Sequence, residues 1–229
     1  MNKKLMILVA GALTALAFMS LAGAASAKET KVKCEGAGEC TYTVAGAESR
    51  FSLAGGDTVW CSSVEGNGSV TGLNAEREST TSSVQLLFKG CKEQATIFHF
   101  SCSNTATAGN VTTNVMTGHN IALPAGNEAG VTLTNAGVTF TCAGGFASTQ
   151  VTGSVIGEYE NKCNTNTGTV QKLNFTASGH GAQSLTSYDG TTYKLEGKTS
   201  HTGGGSYESA AQTGTGTLTF NQNVILTCA

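Results

Sequence analysis

An antiparallel all-β fold, arranged as a β-sandwich and stapled by disulfides, is what this sequence predicts. Three observations lead there. Short β-branched or alternating runs recur about every 8–12 residues between clusters of Gly, Asn and Ser, the rhythm of sandwiches and barrels. Thirty Gly interrupt the chain, and beyond the N-terminus no window carries a helical apolar stripe. Eight cysteines, an even number, follow an N-terminal export pattern.

That pattern is the first element. Lys3 and Lys4 make a positive start, an apolar run spans Leu5 to Leu21, and Ala25-Ser26-Ala27 is the small-x-small site of a signal peptidase. Cleavage is expected after Ala27, so residues 1–27 are read as a signal peptide and residues 28–229 as one all-β domain. No second apolar run of about 18 residues follows, so no transmembrane anchor is expected in the mature chain. Expected localisation is secreted, with periplasmic or cell-surface retention as the alternatives.

The strand candidates then follow in order. The first six are Thr41–Val44, Arg50–Leu53, Thr58–Cys61, Ser69–Leu73, Val84–Lys89 and Thr96–Cys102. Next come Val111–Met116, Ile121–Leu123, Val131–Thr134, Val138–Cys142, Gln150–Thr152 and Ser154–Glu160. Val170–Thr176, Thr191–Glu196, Thr217–Phe220 and Val224–Cys228 complete them. Asp189-Gly190 between Tyr188 and Tyr193 is a hairpin-turn signal.

Cys34, Cys40, Cys61, Cys91, Cys102, Cys142, Cys163 and Cys228 all lie beyond the cleavage site. Their spacing holds no C-x-x-C and no Cys beside a His, so disulfides are expected and a metal site is not. Only Cys34 with Cys40 is paired from proximity; the remaining connectivity stays open.

An internal repeat is expected over about 45–124 and 125–216, with a partial third copy at 217–229. Ala45-Gly46-Ala47-Glu48, Cys61, Val70-Thr71-Gly72 and Glu76-Arg77-Glu78 recur as Ala125-Gly126-Asn127-Glu128, Cys142, Val151-Thr152-Gly153 and Glu158-Tyr159-Glu160. Such units bury their apolar faces against each other.

Composition excludes some functions. A net charge of −2, becoming −4 once Lys3 and Lys4 are removed, leaves no basic footprint for nucleic acid. His99, His119, His180 and His201 carry no flanking catalytic signature, and no Ser occupies a G-x-S-x-G elbow. No cofactor is expected. One constellation has the right chemistry for hydrolysis: on a strand, Glu158 and Glu160 share a face about 7 Å apart, as an acid–base pair on a sugar requires. For stacking on sugar rings the candidates are Tyr188, Tyr193 and Tyr159, with Tyr42, Trp60 and Tyr207 behind them. Trp60, beside Cys61 at a strand end, is expected to pack in the core, whereas Tyr188 and Tyr193 are expected to be exposed.

Several segments together resemble a known group. They are Ala25–Thr30, Lys33–Gly36, Asn74–Thr80, Leu133–Cys142 and Thr215–Gln222. They are similar to exported, Cys-containing, Thr/Gly-rich β proteins of soil actinobacteria, a paralogous family with no assigned activity. The resemblance implies export and β structure, and it brings no active-site residues. The expected function is a non-enzymatic role at the cell surface or outside the cell, with polysaccharide or protein as partner. The alternatives are a carbohydrate-binding module and a secreted glycoside hydrolase using Glu158 and Glu160.

Overall fold

The computed structural model describes residues 29–94, 99–123, 128–142, 147–164, 167–200 and 205–228. The expected signal peptide lies outside them. The chain begins with β1 (Thr30–Cys34), β2 (Thr41–Leu53), β3 (Thr58–Cys61), β4 (Ser63–Thr71), β5 (Glu78–Ser79) and β6 (Thr81–Lys89). There follow β7 (Lys92–Gln94), β8 (His99–Ser103), β9 (Val111–Thr112), β10 (Met116–Ala122) and β11 (Ala129–Thr134). Next are β12 (Val138–Cys142), β13 (Ala147–Gly153), β14 (Val155–Tyr159), β15 (Thr167–Phe175), β16 (Ala177–Gly179) and β17 (Ala182–Gln183). The last are β18 (Ser187–Tyr188), β19 (Thr191–Thr192), β20 (Leu195–Ser200) and β21 (Glu208–Cys228). The predicted all-β, antiparallel, disulfide-stapled class is what these elements form.

Hydrogen bonding gives that class a closed form. From β2 the ladder runs through β4, β6, β10, β11, β14, β15 and β21 and returns to β2. From the other half of β2 it runs through β3, β7, β8, β12, β13, β20 and β21, again back to β2. Each circuit is antiparallel throughout, so neither leaves an open edge to recruit another chain. The two share β2 and β21, which are 13 and 21 residues long. A register shift between Gly46 and Ser49 marks where β2 passes from one ring to the other.

Alternation decides what faces inward. Along β21, Leu218 and Phe220 are buried while Thr215 and Thr219 are exposed. Thr is well suited to the outer position, since its branched side chain fits a pleated surface facing water. The first ring closes over Tyr42, Val84, Leu86, Val131, Leu133 and Phe175, and the residual cavity there is only about 50 Å³. Ligand pockets start near 300 Å³, so this interior is a packed core. The second ring encloses Phe51, Leu53, Val59, Phe140 and Val151. Phe51 and Phe88 meet edge to face at 5.0 Å and join the two cores. Apolar inside and polar outside is the reverse of a membrane-spanning barrel. Among the described residues no helix is long and apolar enough to cross a membrane.

One close approach requires glycine. Gly68 of β4 lies opposite Tyr42 of β2, and the Tyr42 ring occupies the space a Cβ at Gly68 would need.

Four disulfides close the fold: Cys34–Cys40, as proximity predicts, Cys61–Cys91, Cys102–Cys142 and Cys163–Cys228. A chain with this framework belongs to an oxidising environment. The Val-Thr-Gly steps of the two repeat units both end on a glycine in the left-handed region, Gly72 at φ 66° and Gly153 at φ 120°. Their strand partners differ, β4 pairing with β2 and β6 but β13 with β12 and β20.

Two buried tyrosines make the fold sensitive to alkali. The Tyr159 hydroxyl donates to Asn120 Oδ1 at 3.0 Å, and the Tyr42 hydroxyl donates to the Ser83 carbonyl at 3.3 Å. Burial raises both phenol pKa values above 10.0, because the phenolate would lose its hydration. The unfolded chain ionises first, so stability holds up to about pH 10 and then declines. For Tyr159, the more strongly shifted of the two, the slope approaches about 1.4 kcal/mol per pH unit above that point. Urea unfolding at about pH 9 and about pH 11 measures it, and Tyr159→Phe should make the decline shallower.

Candidate functional site

The site is built around the one tryptophan of the chain. In β3 the alternation places Val59 and Cys61 inside, buried to 7% and 1% exposure, so Trp60 between them points outward and is half-buried. This corrects the expectation that Trp60 packs in the core. Its adjacency to Cys61 is what turns it out, because neighbours on a strand face opposite ways.

Pairing then surrounds it. Arg50 of β2 is the register partner of Trp60 on one side, and Lys92 of β7 on the other. Directly opposed side chains on neighbouring strands have Cβ atoms about 5 Å apart. Glu48 lies two residues before Arg50 and Gln94 two after Lys92, so both return to the same face. His99 of β8 is the partner of Gln94. These six side chains line one open cleft of about 310 Å³.

The charges are not symmetric about the indole. Glu48 Oε1 accepts from Arg50 Nε at 2.6 Å, and the same guanidinium forms an ion pair with it. The hydrogen bonds from Arg50 and from Trp60 hold the Glu48 carboxyl below its usual pKa, so it stays ionised. The Lys92 ammonium has no hydrogen bond or ion pair among the described residues. Among the described residues, one side of Trp60 therefore carries a neutralised pair and the other a cation with no acid partner.

The cleft is also braced from beneath. Cys61 follows Trp60 and Cys91 precedes Lys92, so the Cys61–Cys91 bond ties the two strands at the indole and the ammonium. The Cys102–Cys142 bond does the same for β8 and β12, whose register sets those two residues opposite. A surface held in this way loses little freedom when it binds.

The residues singled out from sequence are distributed elsewhere. Glu158 and Glu160 do line one cleft, of about 350 Å³, together with Glu128, Lys162, Asn174 and Thr215. Glu160 is engaged there by Lys172 Nζ at 3.4 Å and by Asn174 Nδ2 at 3.2 Å. The matching pair in the first repeat has another setting. Glu78 takes an ion pair from Lys31 at 3.4 Å, and Glu76 accepts from Asn74 within a turn.

Tyr159, expected as a stacking platform, is 7% exposed and belongs to the core, which removes it from any surface role. The Asp189-Gly190 turn is present, with both residues at positive φ as a type I′ hairpin needs. Tyr188 and Tyr193, expected to be exposed, are instead half-buried against Ile121, Leu123 and Ile156. Burial raises the Tyr188 phenol pKa, with Asp189 and Glu29 adding to it. Tyr207 is 43% exposed, with Lys198 Nζ 4.8 Å from its ring centre. Among the described residues no three His, Cys, Asp or Glu side chains gather as metal ligands would.

No family model, curated protein or solved structure matches the chain.

Proposed function

We propose that the protein is an exported, non-enzymatic binding protein acting at the cell surface or outside the cell, with the Trp60 cleft as its recognition surface for carbohydrate. The observation that carries this reading is the half-buried indole set among hydrogen-bonding side chains on a disulfide-braced strand face. An aromatic ring presented on a rigid polar surface can cover the apolar face of a sugar ring while its neighbours bond the hydroxyls. The Glu158–Glu160 cleft does not carry the proposal, because Glu160 is already committed to Lys172 and Asn174.

Co-sedimentation of oxidised residues 28–229 with cellulose, chitin, peptidoglycan, pectate gel and whole cells tests the reading. Saturable retention by a polysaccharide is expected, and Trp60→Ala should reduce it at least tenfold, about 1.4 kcal/mol of binding. Retention unchanged in Trp60→Ala would place the binding surface elsewhere and end this assignment.

A further inference from the structure

We infer that the Trp60 cleft selects an acidic polysaccharide, a polymer of pyranose rings that carry carboxylates. The inference rests on the carbohydrate reading above and names its ligand class. Two features of the cleft point the same way. The first is stacking: the exposed face of an indole is flat and apolar, and it matches the C–H face of a pyranose ring rather than an extended peptide. The second is the charge asymmetry. Arg50 is neutralised by Glu48 at 2.6 Å, whereas Lys92 on the other side of Trp60 has no acid partner among the described residues.

Geometry joins the two features. A uronic acid bears its carboxylate at the rim of the ring, so a cation that reads it must stand beside the aromatic platform and not above it. Lys92 is in that place, one strand away from Trp60 and in register with it. Gln94 and His99 extend the same face along β7 and β8 and can reach hydroxyl groups of the next residue of the polymer. Glu48, Arg50 and Lys92 sum to one positive charge in a chain whose formal net charge is −2. A neutral glycan would use the indole and leave Lys92 without a partner.

Calorimetric titration of the oxidised protein against three soluble polymers tests this. They are polygalacturonate, the same polymer with its carboxyls reduced to alcohols, and polyglutamate, an anion without sugar rings. Polygalacturonate should bind about tenfold more tightly than the reduced polymer at low salt, with polyglutamate weakest. Lys92→Gln should bring the two galactans within about twofold, by weakening the acidic one alone. Trp60→Ala should weaken both, each at least tenfold. Both side chains face solvent, so circular dichroism should show the two variants folded. Equal affinity for acidic and reduced polymer would overturn the acidic selectivity and leave the carbohydrate reading standing. Polyglutamate binding as well as polygalacturonate, or a preference that survives Lys92→Gln, would also overturn it. No binding to either galactan, together with no retention by any polysaccharide in the sedimentation assay, would remove both.

Discussion

Complete reduction of the four disulfides is expected to unfold the protein at neutral pH. The bonds span sequence separations of 6, 30, 40 and 65 residues. Loop-closure entropy assigns about 2 kcal/mol to the shortest and about 4 kcal/mol to the longest, roughly 14 kcal/mol together. A folded domain is stable by only about 5–15 kcal/mol, so the framework is comparable to the whole margin. Aromatic residues are 7% of the chain. Far-UV circular dichroism and a thermal melt, with and without a strong thiol reductant, give the measurement. A cooperative melt retained after every cysteine is reduced would contradict it. Removing Cys163–Cys228 alone should be the costliest single loss, since it closes the longest loop.

The second large effect separates inside from outside. Phe88→Ala is expected to cost about 3–5 kcal/mol, the range for deleting a large buried aromatic. Phe88 is 1% exposed, and its contact with Phe51 crosses from β6 to β2, two strands not adjacent in the ring. Trp60→Ala, although it removes the larger side chain, is expected to cost under about 1 kcal/mol, because Trp60 lies on the outer face. Urea unfolding of the two variants compares them directly. A Trp60→Ala penalty as large as that of Phe88→Ala would mean that the indole is a core residue and that the register of β3 is different.

Much of the fold was legible because strand periodicity is local. Thr58–Cys61 and Val138–Cys142 are strands with the bounds the pattern predicts, and the Asp189-Gly190 hairpin forms where its turn residues stand. Two pairs of predicted strands are each a single long strand. Arg50–Leu53 continues Thr41–Val44 within β2, and Val224–Cys228 continues Thr217–Phe220 within β21. Glycine and polar residues read as breaks there, yet Gly46 sits inside a ladder, in register with Gly216, where the Thr215 carbonyl takes the space a Cβ would need. Ring closure was not legible, since it depends on partners such as β8 with β12 that are remote in sequence.

The site follows the same division. Trp60 could have been assigned outward from Cys61, because a cysteine turned into a bridge inside the ring fixes the direction of its neighbour. The Glu-Tyr-Glu step likewise implied a buried Tyr159 once Glu158 and Glu160 were placed outside. Nothing local links Glu48, Arg50, Lys92 and His99, which lie on three different strands. Only the order β2, β3, β7, β8 brings them to one face.

The most direct test is the fluorescence of the native protein, whose single tryptophan reports on the cleft and nowhere else. The free protein should show a partly solvent-exposed emission that acrylamide quenches. Saturation with polygalacturonate should shift that emission to the blue and protect it from the quencher, both tracking the binding isotherm. A polymer that binds saturably while the emission and its quenching stay unchanged would contradict the account, because the ligand would then sit away from Trp60.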